Sequence, residues 1–218
     1  MFTGLIEEIG RVVDVTRAGD GLFLKISAKR VLEGTGTGDS ICVNGACQTV
    51  TAADSRSFTV FVSGVTASVT TLGSLARDRR VNLERAMTPA SRFGGHFVQG
   101  HVDGRGRVEK IERDSMGMGV SISTGPDLMK YIVDKGSIAV DGVSLTVVSA
   151  DETGFTIYCI PETTGNSIAS DWKTGDDVNI EVDIVAKYVE RMLRFMKSGG
   201  GDDGDRTLMA KLMEEGFA

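Results

Sequence analysis

Cysteine, histidine, proline and tryptophan are all scarce in this chain, which has three, two, three and one of them in 218 residues. The three cysteines, Cys42, Cys47 and Cys159, are odd in number and lack CxxC spacing, so neither a disulfide framework nor a zinc site is indicated. His96 and His101 are the only histidines, no carboxylate cluster completes a metal triad with them, and no metal is expected. Basic residues number 24 against 30 acidic ones, and the resulting charge of −6 argues against binding a nucleic-acid backbone, which needs clustered Lys and Arg. No apolar run is long enough for a membrane span, and the chain opens MFTGLIEEIG, with acids where a signal peptide carries basic residues. The expectation is a cytoplasmic protein with no nucleic-acid or membrane partner. Walker loops, GxSxG elbows, HExxH helices and dinucleotide-binding fingerprints are also missing.

What the chain does contain is one pattern written twice. SIxVxGxxxTV reads Ser40, Ile41, Val43, Gly45, Thr49, Val50 in the first half and Ser137, Ile138, Val140, Gly142, Thr146, Val147 in the second, 97 residues on. Phe58-Thr59 and Val81-Asn82 recur at the same offset, and with one residue of slippage Gly4 falls on Gly100 and Gly10-Arg11-Val12 on Gly106-Arg107-Val108. Solenoid repeats are far shorter, so this is duplication of a domain of roughly a hundred residues. A duplicated binding module implies a duplicated ligand.

Short β-rich runs between glycine-bearing turns recur in both halves. They are Leu22 to Ser27, Ser40 to Val43, Gln48 to Thr51, Ser57 to Val62 and Arg80 to Leu83, then Gly119 to Ser123, Ser137 to Val140, Leu145 to Ser149, Gly154 to Cys159 and Asp177 to Val182. Their length and spacing predict an all-β chain of antiparallel sandwiches or small barrels. One helix is expected from Pro126 towards Gly136, with Ala28 to Glu33 as a weaker counterpart. A longer one follows from the stripe Val185, Tyr188, Val189, Met192, Leu193 and Met196. It either covers its own barrel or packs on the same helix of other subunits. The predicted organisation is two barrels over 1–95 and 96–184, an oligomerisation helix over 185–197, and a flexible linker with a short terminal helix over 198–218.

The polar residues that recur are Ser40, Cys47 and Thr49 in the first half and Ser137, Ser144 and Thr146 in the second. Residues two apart on a strand share a face, so Cys47 and Thr49 project together, as do Ser144 and Thr146. Such a face either hydrogen-bonds a ligand or satisfies a barrel interior. Differences between the halves are informative where two roles must diverge: Leu5 against His101, Cys47 against Ser144, Gly38 against Lys135. His101 offers acid–base chemistry near neutral pH, and Gly100 beside it permits close backbone approach. A lone histidine is also commonly a packed or surface residue. Asp183 precedes the long helix, where helix capping is the first expectation. Lys135 is either a surface charge at a helix end or a partner for a polyol or ring carbonyl.

The segments MFTG, VNGACQTV (43–50), VNLERA (81–86), FGGHFVQGHVDG (93–104), DGVSLTVV (141–148), IPET (160–163) and VNIEVDIVAKYVERML (178–193) occur in this order. Together they resemble the riboflavin synthase family over roughly residues 1 to 196. That resemblance implies two six-stranded Greek-key barrels, each binding one 6,7-dimethyl-8-ribityllumazine, and C-terminal helices that gather chains into a homotrimer with active sites between neighbouring subunits. It implies transfer of a four-carbon unit between two lumazines, giving riboflavin and 5-amino-6-(ribitylamino)uracil without metal or organic cofactor. Association with lumazine synthase is a further implication. By resemblance, Phe2, Ser40, Cys47, His101, Ser144, Thr146 and Asp183 fall on catalytic positions. Ligand contacts are implied for Gly4, Leu5 and Ile6, for Cys47, Gln48 and Thr49, and for Phe61, Val62, Ser63, Gly64, Val65 and Thr66. In the second half they are implied for Gly100, His101 and Val102, for Lys135, for Ser144, Leu145 and Thr146, and for Ile160, Pro161, Glu162, Thr163, Thr164 and Gly165.

The chain departs from the family pattern at Gln48, where Leu is expected, at Val65-Thr66-Ala67 in place of ETL, and at Thr164-Gly165-Asn166. Two other readings compete with an enzyme: a noncatalytic lumazine or flavin carrier of the same fold, and a structural oligomerisation module. The retained Cys47, His101, Ser144 and Thr146 favour the enzyme.

Overall fold

The computed structural model describes residues 1–198 and 213–214. Strands β1 (Glu8–Ala18), β2 (Gly21–Ser27), β3 (Ser40–Val43), β4 (Ala46–Ala53), β5 (Ser57–Val62) and β6 (Arg80–Arg85) close a barrel in the order β1-β2-β5-β4-β3-β6. Strands β7 (Gly104–Arg113), β8 (Met118–Ser123), β9 (Ser137–Val140), β10 (Val143–Ala150), β11 (Gly154–Cys159) and β12 (Asp177–Val182) close a second with the same connectivity, all antiparallel. Alternation builds each wall: Leu22, Leu24 and Ile26 of β2 point inward between exposed Phe23 and Lys25, and Met118, Val120 and Ile122 of β8 do the same. Closure leaves no open sheet edge.

Strands β1 and β7 were not among the runs expected from the sequence. A bulge at Val12/Asp14, and its equivalent at Val108/Lys110, breaks the two-residue period that would have betrayed them. The slippage of one residue lies in the loop before the third strand of each barrel, which is one residue longer in the second half. That loop carries a 3₁₀ turn at Arg30–Leu32 in the first barrel and a single α-helical turn at Pro126–Met129 in the second. The helix expected to run towards Gly136 is therefore shorter. After Met129 the chain continues in three-residue turns such as Tyr131 to Leu128 and Ile132 to Met129, and reaches the left-handed region at Lys135. Two short helices, Gly64–Val69 and Pro161–Asn166, follow β5 and β11 and were not anticipated.

The barrels meet across an approximate two-fold. Asn44-Gly45 and Asp141-Gly142 form matching hairpin turns with both residues at positive φ, the geometry of a type I′ turn. The turns abut so closely that a Cβ on Gly45 would sit 2.8 Å from the Gly142 nitrogen, and one on Gly142 2.7 Å from that of Gly45. Around them runs a buried polar lattice. Asn82 Nδ2 donates to the Asp141 carbonyl at 2.9 Å and Asn179 Nδ2 to that of Asn44 at 2.7 Å, while the two Oδ1 atoms accept from Ile168 N and Thr71 N. A partner for each oxygen and nitrogen of these amides makes their burial tolerable.

The last helix, Ile184–Ser198, forms as the stripe predicts, and Val185, Tyr188, Val189, Met192 and Leu193 are each at least half exposed on it. No helix among the described residues is long and apolar enough to cross a membrane. The expected linker and terminal helix fall almost wholly outside the described residues.

Candidate active site

The recurrent polar residues lie on the outer faces of the barrels, not inside them. Ser40 stands opposite Thr49 and Cys42 opposite Cys47, and directly opposed residues share a face. Thr49 is exposed and Cys47 half-buried, while Gln48 between them is buried. The second barrel repeats this with Ser137 opposite Thr146 and Ala139 opposite Ser144, and Leu145 turned into the core. The interior-filling alternative for Cys47, Thr49, Ser144 and Thr146 is thus overturned. Gln48, Leu145 and Val62 are buried, Leu145 and Val62 in the barrel cores.

The segments that precede the first strand of each barrel are exchanged. Cys47 N donates to the Gly100 carbonyl and Ser144 N to the Gly4 carbonyl, both at 2.8 Å. Gly4 therefore lies on the second barrel and Gly100 on the first. Both glycines sit at positive φ, 76° and 80°, and a Cβ on either would come 2.6 Å from the Cβ of Ser144 or Cys47. Only glycine meets both demands. Phe2 and Val98 pair where the two segments cross and form a small apolar cluster with Cys42 and Ala139.

Two equivalent buried carboxylates clamp the exchanged segments. Glu84 accepts from Thr3 N and Thr3 Oγ1 at 2.7 Å and from Gly4 N at 3.0 Å. Glu181 accepts from Gln99 N at 2.5 Å and His101 N at 2.8 Å. Burial pushes both acids above the ordinary carboxylate value, and the N–H bonds pull part of the way back.

The imidazole on Ser144 is His96, which the sequence reading had not singled out. Its Nδ1 lies 2.7 Å from Ser144 Oγ, and its buried Nε2 has no partner among the described residues. Burial lowers its pKa and the nearby Asp183 carboxylate opposes that shift, so the ring is neutral at pH 7. Asp183 therefore acts on the His96 ring through its charge. The sequence signal for His96 was weak, because it falls just before the repeat and has no counterpart in the first half. His101 is exposed, makes no side-chain hydrogen bond among the described residues, and follows Gly100 at the first barrel.

A cavity of about 330 Å³ opens at the second barrel, lined by Gly4, Leu5, Ile6, Ser144, Glu162, Thr163 and neighbours. Its size suits a small heterocycle, and it gathers predicted residues from three separate parts of the sequence. Lys135 stands at φ 64°, where its counterpart Gly38 is at 96°. A larger crevice of about 910 Å³ borders the hairpin junction, is lined by charged residues such as Arg80 and Asp171 that already pair at 2.9 Å, and holds none of the predicted site residues.

Comparison with known proteins matches the lumazine binding domain twice, over residues 3–86 and 99–183. Riboflavin synthase of Actinobacillus pleuropneumoniae is 45% identical over 217 residues and that of Bacillus subtilis 44% over 218, each covering 100% of both chains. The chain belongs to the riboflavin synthase family. A eukaryotic member, from Schizosaccharomyces pombe, is 43% identical over 88% of this chain and 94% of its own. The family fold recurs in solved structures of LumP complexed with riboflavin (TM-score 0.79, 23% identity) and with 6,7-dimethyl-8-(1'-D-ribityl) lumazine (0.76, 22%). Each covers 84% of this chain and 99% of the LumP chain. Two lumazine-domain matches thus coincide with the two barrels, and each match ends within a residue or so of its last strand or of Asp183.

Proposed function

We propose that this chain is a transferase that dismutates two molecules of 6,7-dimethyl-8-ribityllumazine, moving a four-carbon unit to give riboflavin and 5-amino-6-(ribitylamino)uracil. The observation that carries the reading is the polar outer face retained on both barrels, Ser40/Cys47/Thr49 and Ser144/Thr146, in a chain alignable end to end with riboflavin synthases. One substrate sits at each face. A proton leaves the weakly acidic 7-methyl group of one lumazine while a nucleophile adds to the electrophilic ring carbon of the other. Both steps need positioned hydrogen bonds more than a strong catalyst.

The active site lies between neighbouring subunits of a homotrimer assembled through the exposed stripe of the last helix. There His101 and Cys47 of one chain face Ser144 and Thr146 of the next, so that His101 handles protons with Ser144 or Thr146 while Cys47 and Ser40 position or activate the partner substrate. Phe2 supports the crossing of the exchanged segments, and Asp183 acts through His96. Gly4 to Ile6, Lys135 and Ile160 to Gly165 contact one ligand; Gly100 to Val102 and Phe61 to Thr66 contact the other. The two barrels are the functional domains, and association with lumazine synthase would shorten the path of its product.

Incubating the protein with 6,7-dimethyl-8-ribityllumazine and following flavin appearance tests the reading. Binding without riboflavin formation selects the carrier, and no binding selects the structural module. Unchanged turnover in both Cys47→Ser and His101→Gln would remove those residues from the mechanism. Met192→Asp is expected to give a monomer by sedimentation velocity, with turnover lost.

A further inference from the structure

Cys42 and Cys47 face each other directly across the β3–β4 hairpin. The Cys47 amide donates to Gly100 instead of to Cys42, which makes this a non-hydrogen-bonded pair. In such pairs the Cα atoms approach to about 4.5 Å, within the span of roughly 4.4–6.8 Å that a disulfide bridges. Both side chains lie on the same face and pack in the same small apolar cluster, and both thiols are free. The second barrel has Ala139 opposite Ser144 at the equivalent positions. An alanine fills the Cys42 place there, so packing alone does not call for sulfur.

The environments of the two thiols differ. Cys42 is 2% exposed, and burial together with the nearby Glu84 and Glu181 raises its pKa and keeps it protonated. Cys47 is half-buried on the outer face and is the sulfur that a small oxidant meets first.

We propose that Cys42 and Cys47 form a peroxide-reactive dithiol, with Cys47 the attacked and Cys42 the resolving cysteine, whose disulfide blocks the first-barrel face. Cys47 sulfur attacks one peroxide oxygen, the O–O bond breaks, and the departing hydroxide takes the thiol proton as water. Cys42 sulfur then attacks the sulfenic sulfur of Cys47, the S–S bond forms, the S–O bond breaks, and a second water leaves with the Cys42 proton. Two electrons pass from the thiols to the peroxide, and a reducing dithiol reverses the change. Loss of turnover on oxidation rests on the proposed reaction; disulfide formation does not.

Trypsin cleaving after Arg30 and Arg56 places both cysteines in one peptide that holds no third. After hydrogen peroxide treatment and alkylation of the unfolded protein, that peptide is expected to be lighter by two hydrogens and unalkylated. Dithiothreitol should restore both alkylations, and Cys159 should remain alkylated throughout. Cys42→Ala should give a dimedone-trapped sulfenic acid at Cys47 and no internal disulfide. In wild type, sulfinic acid at Cys47 with Cys42 still alkylated, two alkylated thiols after excess peroxide, or pairing with Cys159 would each overturn the proposal. Riboflavin formation should fall in step with disulfide yield and recover on reduction. A disulfide that forms while the reduced protein never turns over sinks the reaction and leaves the dithiol standing; a disulfide that forms with turnover unaffected sinks the block.

Discussion

The Phe2 amide donates to the Val98 carbonyl at 2.7 Å and the Val98 amide returns the bond to Phe2 at 3.2 Å. This two-residue ribbon lies where the entry segments of the two barrels cross. It ties the chain's second residue to a position 96 further on, the same offset that maps Gly4 onto Gly100. Each outer face is therefore completed by the other barrel's leader. Neither barrel has a finished outer face without its neighbour's leader.

The clamps on those leaders predict a shared phenotype. Glu84→Gln and Glu181→Gln each replace a buried carboxylate that accepts two or three N–H or O–H bonds with an amide carrying one acceptor oxygen. Each variant should lose about 1–3 kcal/mol by urea denaturation. Glu84→Gln loosens Gly4 beside Ser144, and Glu181→Gln loosens Gly100 and His101 beside Cys47. Turnover should drop in both by more than the folded fraction accounts for; normal turnover with lowered stability would make the clamps purely structural.

The two histidines should separate by experiment. His101→Gln alters an exposed side chain and should leave stability within about 0.5 kcal/mol of wild type while lowering turnover. His96→Gln removes a buried ring from Ser144 and should cost about 1–3 kcal/mol. The folded state prefers neutral His96, because burial lowers its pKa. Its contribution is therefore present above the ordinary histidine pKa of about 6.5 and is lost as pH falls below it. His96→Gln should flatten the acid limb of a stability–pH curve, and His101→Gln should not.

The strands were legible as β-rich runs such as Leu22 to Ser27, with its strict two-residue alternation, set between glycine-bearing turns, and the duplication in the SIxVxGxxxTV pattern repeated 97 residues on. Strand β1 escaped because its bulge at Val12/Asp14 breaks that alternation. Ser40 joins Cys47 and Thr49 only through the pairing of its strand with theirs, whereas the projection of Cys47 and Thr49 from one face followed from spacing alone. The exchange of Gly4 and Gly100 between barrels could not, since nothing local tells a chain which of two similar edges it will join. His96 was hidden because it falls just before the second repeat, has no counterpart in the first half, and meets Ser144, 48 residues on, only through the fold.

Lys135 carries a cost that its counterpart avoids. It stands at φ 64°, where the first barrel has Gly38 at 96°, and both donate their amides to the equivalent β-strand carbonyls of Val147 and Val50 at 2.8 and 2.9 Å. A left-handed lysine costs about 1 kcal/mol relative to glycine. Lys135→Gly should raise stability by about that amount. If the side chain contacts ligand, lumazine affinity should fall at the same time in a fluorescence titration; a stabilised variant with unchanged affinity would make Lys135 a strained bystander.

Asp141 gives the junction between the barrels a pH dependence that its counterpart Asn44 cannot have. Its Oδ1 accepts from Asn179 N at 2.9 Å and its Oδ2 from Trp172 Nε1 at 3.0 Å. Burial nonetheless raises its pKa from 3.8 to about 7. Below the unfolded value the group is protonated in both states and costs nothing. As pH rises the unfolded chain ionises first, so stability falls progressively until the folded group also ionises near pH 7, and is level beyond. The full loss is on the order of 4 kcal/mol. Asp141→Asn abolishes that slope and leaves the Trp172 N–H poorly matched, a fixed deficit of about 1–3 kcal/mol. The variant should therefore gain on wild type by roughly 2–4 kcal/mol between about pH 5 and about pH 8. Urea denaturation at one fixed protein concentration measures the difference, since assembly would otherwise shift both curves. A stability difference that stays constant across that range would mean that Asp141 is already ionised in the folded protein at acid pH.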